Sequence, residues 1–258
     1  MTGLALRCRD EEQMDAVDLD GETYARVLHD LACINRWTFT AHPLLAFLDR
    51  ATRGLTHFRL LDVGFGEGDL LRRVAVWAQR RGIATSLVGI DINPRSAEIA
   101  RAATALALPI QYLTGDCHGL FGTFDFIVSS QVTHHMTDGQ LFDFLHFMEQ
   151  RAERGWLIND LHRHAFAYHG FPLLARLLGV HRIVREDGQL SIARSFRADE
   201  WRAILGAAGL PMGGIRIVRR FPFRLAVERI KQRDARPNWQ ASVGAAILRP
   251  EISGLDSA

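Results

Sequence analysis

The sequence predicts an α/β protein built on a doubly wound, mostly parallel sheet, and three observations carry that expectation. Short apolar runs alternate with amphipathic stretches through the middle of the chain, joined by brief connections. The first apolar run stops at Gly64, Gly66 and Gly68, and the second stops at an acid, Asp91. Strands and helices taking turns in this way favour parallel strands covered on both faces, and right-handed crossovers then open the sheet in both directions.

Each element has its own signature. Thr23 to Arg50 carries Val27, Leu28, Leu31, Ile34 and Trp37 at helical spacing, which predicts one or two leading helices, with Pro43 able to open the second and Trp37 in the core. Arg59 to Val63 is a short apolar strand. Asp69 to Arg81 is an amphipathic helix with Leu70, Leu71, Val74 and Trp77 on one face and Gly82 as its stop. Ser86 to Ile90 is a strand and Pro94 to Leu106 a helix opened by proline. Ile110 to Leu113 and Phe124 to Val128 are strands, Gln140 to Arg151 is a helix, and Trp156 to Ile158 is a strand ending at Asn159 and Asp160. Beyond Leu161 the pattern changes. A helix from Ala165 to Leu178 leads into a polar loop from Arg185 to Gln189, and Ala198 to Ala208 is a helix with Asp199 and Glu200 in its first turn. Ile215 to Val218 and Arg224 to Val227 flank Phe221 and Pro222 as an antiparallel pair. Ser242 to Leu248 is a further apolar candidate, and the pattern leaves open which of these segments finish the sheet.

With 258 residues, 48% hydrophobic and 23% charged, the chain can bury one substantial core with a small cap. Neither an internal repeat nor a low-complexity linker divides it. The expectation is one domain: leading helices over residues 1–55, a ligand-binding half over 56–160, a cap insertion over 161–197, and the rest of the sheet over 198–258. Acids crowd the opening residues, Asp10, Glu11, Glu12, Asp15, Asp18 and Asp20, so neither a basic start nor an apolar run reads as a secretory signal. No stretch reads as a membrane span. Cys8, Cys33 and Cys117 are odd in number and far apart, which disfavours disulfides and zinc ribbons and fits a reducing cytoplasm. A net charge of +2 gives no polyanion signature, and the basic run from Arg216 to Arg236 reads as a solvated face.

In an open parallel sheet, ligands sit outside the carboxyl ends of the strands where the strand order reverses. The unusual residues fall there. The glycines after the first strand let backbone approach a ligand closely. Asp91, at the end of the second strand, can accept hydrogen bonds from both hydroxyls of a ribose. Asp116 follows the third strand, where it can face an adenine amine. Taken singly, the glycines also fit a simple turn and the acids a helix cap or surface charge.

In order along the chain, these residues resemble the motifs of class I S-adenosylmethionine-dependent methyltransferases of the ubiquinone-biosynthesis-like and natural-product branch. Leu60-Leu61-Asp62-Val63-Gly64-Phe65-Gly66-Glu67-Gly68 is similar to the first motif, with Phe65 where a smaller residue is usual. Gly89-Ile90-Asp91-Ile92-Asn93-Pro94 resembles the second, Gly115-Asp116-Cys117 the third, and Phe124 to His135 the fourth. The resemblance spans about Phe58 to Asp160. It implies a Rossmann-like methyltransferase fold with a seven-stranded sheet, and S-adenosyl-L-methionine as cofactor. It also implies a set of contacts. Gly64, Gly66 and Gly68 would shape the turn under the methionine portion, and Asp62 would engage its ammonium. Asp91 and Ile92 would hold the ribose, and Asp116 and Cys117 the adenine. Ser129, Ser130 and Gln131 would line the floor beside the sulfonium.

Methyl transfer needs alignment above all, and a hydroxyl acceptor gains from a general base. Asp160-Leu161-His162-Arg163-His164 follows the fifth strand, so His162 or His164 is the candidate base, with Asp160 orienting the imidazole; packing and helix capping are the alternative roles. His134 and His135 are adjacent and no carboxylate or cysteine accompanies them at metal-ligand spacing, so no metal is expected and they read as packing near the cofactor. Tyr168 and His169 lie in the cap, whose apolar residues (Phe166, Phe171, Leu174) suit a hydrophobic or aromatic small molecule. The expected activity is methylation of a phenolic, quinone-like or polyketide-like acceptor, on oxygen first, with carbon and nitrogen open, by a monomer or homodimer. A nicotinamide dehydrogenase is disfavoured because its G-x-G-x-x-G pattern fails at Asp69, and a Walker loop because no G-K-[ST] occurs. An RNA or DNA methyltransferase is disfavoured by Ser129-Ser130-Gln131-Val132 where an Asn/Asp-Pro-Pro-aromatic signature would stand. A non-catalytic cofactor-binding partner protein remains the alternative of a different class.

Overall fold

A computed structural model describes residues 4–16 and 18–231 of the chain. Among them run seven strands: β1 (His57–Val63), β2 (Ala84–Asp91), β3 (Ile110–Thr114), β4 (Phe124–Ser130), β5 (Ala152–Leu161), β6 (Ile215–Arg220) and β7 (Arg224–Ile230). The helices are α1 (Gly21–Trp37), α2 (Ala41–Ala51), α3 (Asp69–Arg80), α4 (Pro94–Ala102), α5 (Asp138–Arg151), α6 (Ala165–Leu177), α7 (Arg182–Arg194) and α8 (Ala198–Ala207). The strands form one sheet in the order β3-β2-β1-β4-β5-β7-β6. β1 to β5 are parallel, and β7 runs antiparallel to both β5 and β6. The expected doubly wound, seven-stranded fold is therefore present. Ser242 to Leu248, like Arg233 and Arg236, lies outside the described residues.

Local chemistry explains the elements. Asp20 caps α1 by accepting the Thr23 N–H, and Thr137 and Gln140 close a reciprocal capping box on α5. Pro94 opens α4, where its missing N–H costs nothing. In α3 the apolar residues at helical spacing are the buried ones, Leu70, Leu71, Val74 and Trp77. The central strands alternate their side chains between two cores. Phe58 and Phe126 meet edge-on at 5.6 Å with Phe47 of α2 beside them, while Ile127 and Trp156 face α5 and Trp201 of α8.

Two expectations fail. The polar stretch from Arg185 to Gln189 is not a loop but the middle of α7. Its helix is held by the Arg182–Glu186 pair and by Ile183, Val184 and Ile192 buried on one side, and Gly188 inside it leaves room for the Phe171 ring, which an added Cβ would approach to 2.2 Å. Trp37 is not core: it ends α1 with 62% of its surface exposed, and Val27 and Ile34 do the packing. The segment after β5 is a helical hairpin, α6 and α7, whose apolar side closes on α1 and Met14. Elements from before β1 and from after β5 thus pack against one another. None of the helices among the described residues is long and apolar enough to cross a membrane.

Candidate active site

β1 is the strand at which the order reverses, with β2 on one side and β4 on the other. The turn from Val63 to Asp69 leaves its carboxyl end with Gly64, Gly66 and Gly68 all at positive φ, a conformation that glycine adopts without strain. An added Cβ on Gly64 would lie 2.3 Å from Val132, so this glycine lets the β4 loop close against the β1 turn. Gly68 departs from its expected role. It starts α3 and faces the Tyr112 hydroxyl, 2.5 Å from where a Cβ would stand, and it does not line the cavity.

Asp91 is held in place by its own neighbours: its carboxylate accepts the Gly66 N–H at 3.0 Å and the Asn93 N–H at 2.9 Å. Burial raises its pKa, and these two donors oppose the shift. Asp62 is stranger. It is wholly buried, is not among the residues that line the cavity, and neither carboxylate oxygen has a hydrogen-bond partner among the described residues. Burial, with repulsion from Asp69 and Asp91, pushes it up to about 8. An orphaned buried carboxyl is costly, and a cationic group beside it would remove the cost. The two acids and the glycine turn fit a molecule that carries both an ammonium and a ribose.

One consequence is measurable. In the unfolded chain Asp62 ionises near 3.9, so the folded protein loses stability as pH rises from there through about 8. The penalty at pH 9 is on the order of 5 kcal/mol, roughly half of it incurred between pH 6 and pH 9. Asp62→Asn is expected to flatten the fall in Tm between pH 6 and 9 in the ligand-free protein while weakening cofactor binding. A pH profile identical to wild type would remove the assignment.

The remaining cofactor candidates divide. Gly64, Gly66, Asp91, Ile92, Asp116, Cys117, Ser130 and Gln131 line one cavity of about 1740 Å³ at this edge. Asp116 is exposed and caps the turn at Cys117, accepting the His118 N–H at 2.9 Å, which lowers its pKa. Ser129 is buried away from the cavity, with its hydroxyl donating to the Val63 carbonyl at 2.9 Å. It ties β4 to β1 and does not form the floor. Gln131 takes a left-handed φ of 60°, and its amide donates to Asn35 Oδ1 of α1 at 2.7 Å, so a leading helix reaches the cofactor edge.

The catalytic expectation needs correction. Asp160 does not orient His162 or His164. Its buried carboxylate accepts Thr133 Oγ1 at 2.5 Å, His134 Nδ1 at 2.7 Å and the His134 and Leu161 N–H groups. Burial alone would raise its pKa, but His134 and these donors hold it down to about 2. His164 caps α6 through Nδ1 and stacks on Phe223, and neither it nor His162 lines the cavity. Burial, then His164, lowers the pKa of His162. Four imidazoles line the cavity instead: His118, His146 of α5, and His134 and His135, adjacent on the single turn after β4.

A carboxylate does accompany them, from 122 residues upstream. Glu12 is buried against both rings and receives the Ser191 hydroxyl at 2.9 Å. Burial pushes it up to about 7. Glu12 was visible only as one acid among six near the start of the sequence, with no motif around it. Arg224 was also missed, read as part of a strand. It is 2% exposed at the cavity wall, donates Nη2 to Thr38 and Thr40, and has no partner for Nε or Nη1 among the described residues. Burial lowers it to about 10.

Residues 60–155 match the family described as "Methyltransferase domain". No curated protein matches the sequence. Among solved structures, the plantazolicin methyltransferase BpumL, in complex with a triazolic desmethylPZN analog and SAH, is similar with a TM-score of 0.61 at 14% identity, over 81% of this chain and 91% of that one. Magnesium protoporphyrin IX methyltransferase from Synechocystis PCC 6803 with bound SAH gives 0.51 at 19% identity, over 84% and 90%. Human N-acetylserotonin methyltransferase in complex with SAM gives 0.55 at 15% identity, over 80% of this chain and 55% of that one. The strand order, the glycine turn and the family match agree: the chain carries a methyltransferase domain, residues 60–155, set in the seven-stranded fold of class I S-adenosylmethionine-dependent methyltransferases.

Proposed function

We propose that this protein transfers a methyl group from S-adenosyl-L-methionine to an oxygen of a small, hydrophobic or aromatic acceptor of phenolic, quinone-like or polyketide-like type. The observation that carries the reading is a single cavity that joins the Asp91 edge to an apolar wall and to Arg224. Asp62 and the Gly64–Gly66 turn would hold the methionine portion, Asp91 the ribose, and Asp116 with Cys117 the adenine. Bound there, the cofactor supplies an electrophilic methyl on a sulfonium, for which alignment is the main demand on the protein.

The chain's own residues provide the rest. Phe166, Phe171 and Leu174 of α6 present an apolar surface to the cavity, and Leu28, Leu31 and Ile34 of α1 add to its apolar wall. The two unpartnered nitrogens of Arg224, Nε and Nη1, suit an acceptor that carries carbonyl, phenolate or carboxylate oxygens. Polarising or deprotonating a hydroxyl would fall to the cluster of Glu12, His134 and His135. The solved neighbours are named for magnesium protoporphyrin IX, plantazolicin and N-acetylserotonin, which supports a small-molecule acceptor over a nucleic acid. Three unpaired cysteines suit the reducing cytoplasm.

The test is a mass-spectrometric screen of the full chain with S-adenosylmethionine against phenolic, quinone-like and polyketide-like acceptors, with the methylated atom located by fragmentation. An O-methyl product is expected. For the acceptor so found, Arg224→Met is expected to raise KM about 10-fold or more, the worth of one charge-assisted hydrogen bond. Methylation confined to carbon or nitrogen, or an unchanged KM, would overturn the respective claim.

A further inference from the structure

We propose that Glu12, His134 and His135 bind a single divalent transition-metal ion, with zinc(II) the best match, in the wall of the cavity. Neighbouring residues on a helix point apart, but the tight turn at Thr133–His135 brings the two imidazoles together with ring centres 4.3 Å apart. Both Nε2 atoms face the same carboxylate: His134 Nε2 lies 3.7 Å from Glu12 Oε1, and His135 Nε2 lies 3.8 Å from Glu12 Oε2. One ligand atom from each residue falls within 4.8 Å of the others. These separations are too long for an N–H···O hydrogen bond. They are close to the spacing of two ligands on one ion, since bonds of roughly 2.0–2.1 Å in a tetrahedral site place donors about 3.4 Å apart.

The outer contacts point the same way. His134 Nδ1 is bonded to Asp160 at 2.7 Å and His135 Nδ1 to Asp15 at 2.9 Å. A carboxylate on the far nitrogen is the usual support of a metal-bound imidazole, because it fixes the proton on Nδ1 and aims the Nε2 lone pair inward. Here that support occurs twice. With no ion, two inward lone pairs would face a carboxylate across a gap, an arrangement that repels itself. Charge agrees too: Glu12, Asp15 and Asp160 are set against two guanidiniums, Arg194 at 3.8 Å from Glu12 and the buried Arg224 that acts on Asp160, and with neutral imidazoles the excess is one negative charge. Ser191 Oγ orients Glu12. Three protein ligands leave one position open on the cavity side, the pattern of a catalytic rather than a structural ion. On the proposed O-methylation, an acceptor hydroxyl taking that position would lose its proton to solvent more readily; only this role, not the binding site, rests on that reading.

The experiment uses the full chain, stripped with chelator, and zinc(II) alone as the probe. Calorimetric titration, with metal analysis after gel filtration, is expected to give one ion per chain. Glu12→Gln and His135→Ala should each weaken binding by about 10-fold or more, and Asp15→Asn, which removes only an outer contact, by about 10-fold. The His162→Ala/His164→Ala double variant should bind as wild type does. Cobalt(II) added to the unaltered protein should give the intense visible absorption of a four-coordinate nitrogen and oxygen site, which decides the matter even if a variant misfolds. No bound ion, a six-coordinate cobalt spectrum, or zinc lost with His162 and His164 would overturn the proposal. Because no acceptor is required, a protein that binds zinc but methylates no oxygen would refute the proposed activity and leave the site standing.

Discussion

Asp160→Ala is expected to destabilise the folded protein by about 3–5 kcal/mol, the cost of removing a buried carboxylate and leaving its several hydrogen-bond donors unpaired. Its carboxylate is wholly buried and accepts from Thr133, from both the ring and the backbone of His134, and from the Leu161 N–H. Alanine would leave those donors without acceptors in a region with no room for bulk water. In a chain of this length, 1 kcal/mol shifts Tm by roughly 2–4 °C, so a fall of about 10 °C is expected. The pH dependence is a second readout. The group sits at about 2 in the folded state and near 3.9 in the unfolded chain, so its contribution is fully present above pH 4 and disappears as pH falls through about 2. Urea unfolding of the wild type and the variant should therefore give a constant gap from pH 8 to pH 4 that narrows below. A gap under about 1 kcal/mol would mean that Asp160 does not hold the turn that carries His134 and His135.

Asp91→Ala is expected to weaken S-adenosylmethionine binding by about 100-fold or more, which corresponds to roughly 3 kcal/mol and to the loss of two hydrogen bonds to a charged acceptor. The same substitution releases the Gly66 and Asn93 N–H groups that the carboxylate now gathers, so the glycine turn loses its anchor as well as its ligand contact. Asp91→Asn separates the two effects, because it keeps the side-chain shape and one acceptor. A loss intermediate between wild type and alanine is expected, measured by calorimetry with the cofactor alone. A dissociation constant for Asp91→Ala within a factor of two of wild type would place the ribose elsewhere.

These effects come from different parts of the molecule, and the sequence was readable to a different degree in each. The cofactor edge is local. Asp62, Gly64 and Gly66 sit in one strand-turn-helix unit, and Asp91 ends the next strand, so their order along the chain already states their order in space. Where that reading failed, a side chain had a second option. Gly68 serves Tyr112, and the Ser129 hydroxyl serves the Val63 carbonyl. The first depends on the register of β3 on β2 and the second on that of β4 on β1, and neither register is stated in the local sequence.

The acceptor end was not legible because it is assembled from distant segments. Glu12, His134, Asp160 and Arg194 come from four stretches of chain, and each has too few neighbours of its own kind to form a motif. Proximity in sequence suggested Asp160 with His162. The pleat alone would keep Asp160 and His162 on one side, but β5 ends at Leu161 and the β4 loop brings His134 onto the Asp160 carboxylate. The same holds for α7, whose polar middle looked like a loop until Ile183 and Val184 found α1 to pack against.

The sequence by itself therefore determined the alternation of strands and helices, the parallel sheet and the acids that stand at the carboxyl ends of its strands, because hydrophobic periodicity and turn chemistry are local properties of the chain. Only the tertiary structure decided which histidines face the cavity, which carboxylates they meet, and that Arg224 stands at its wall with hydrogen-bond donors to spare. Those pairings depend on strand register and on how the two ends of the chain close over the sheet, and energies of long-range packing are not written in any one segment.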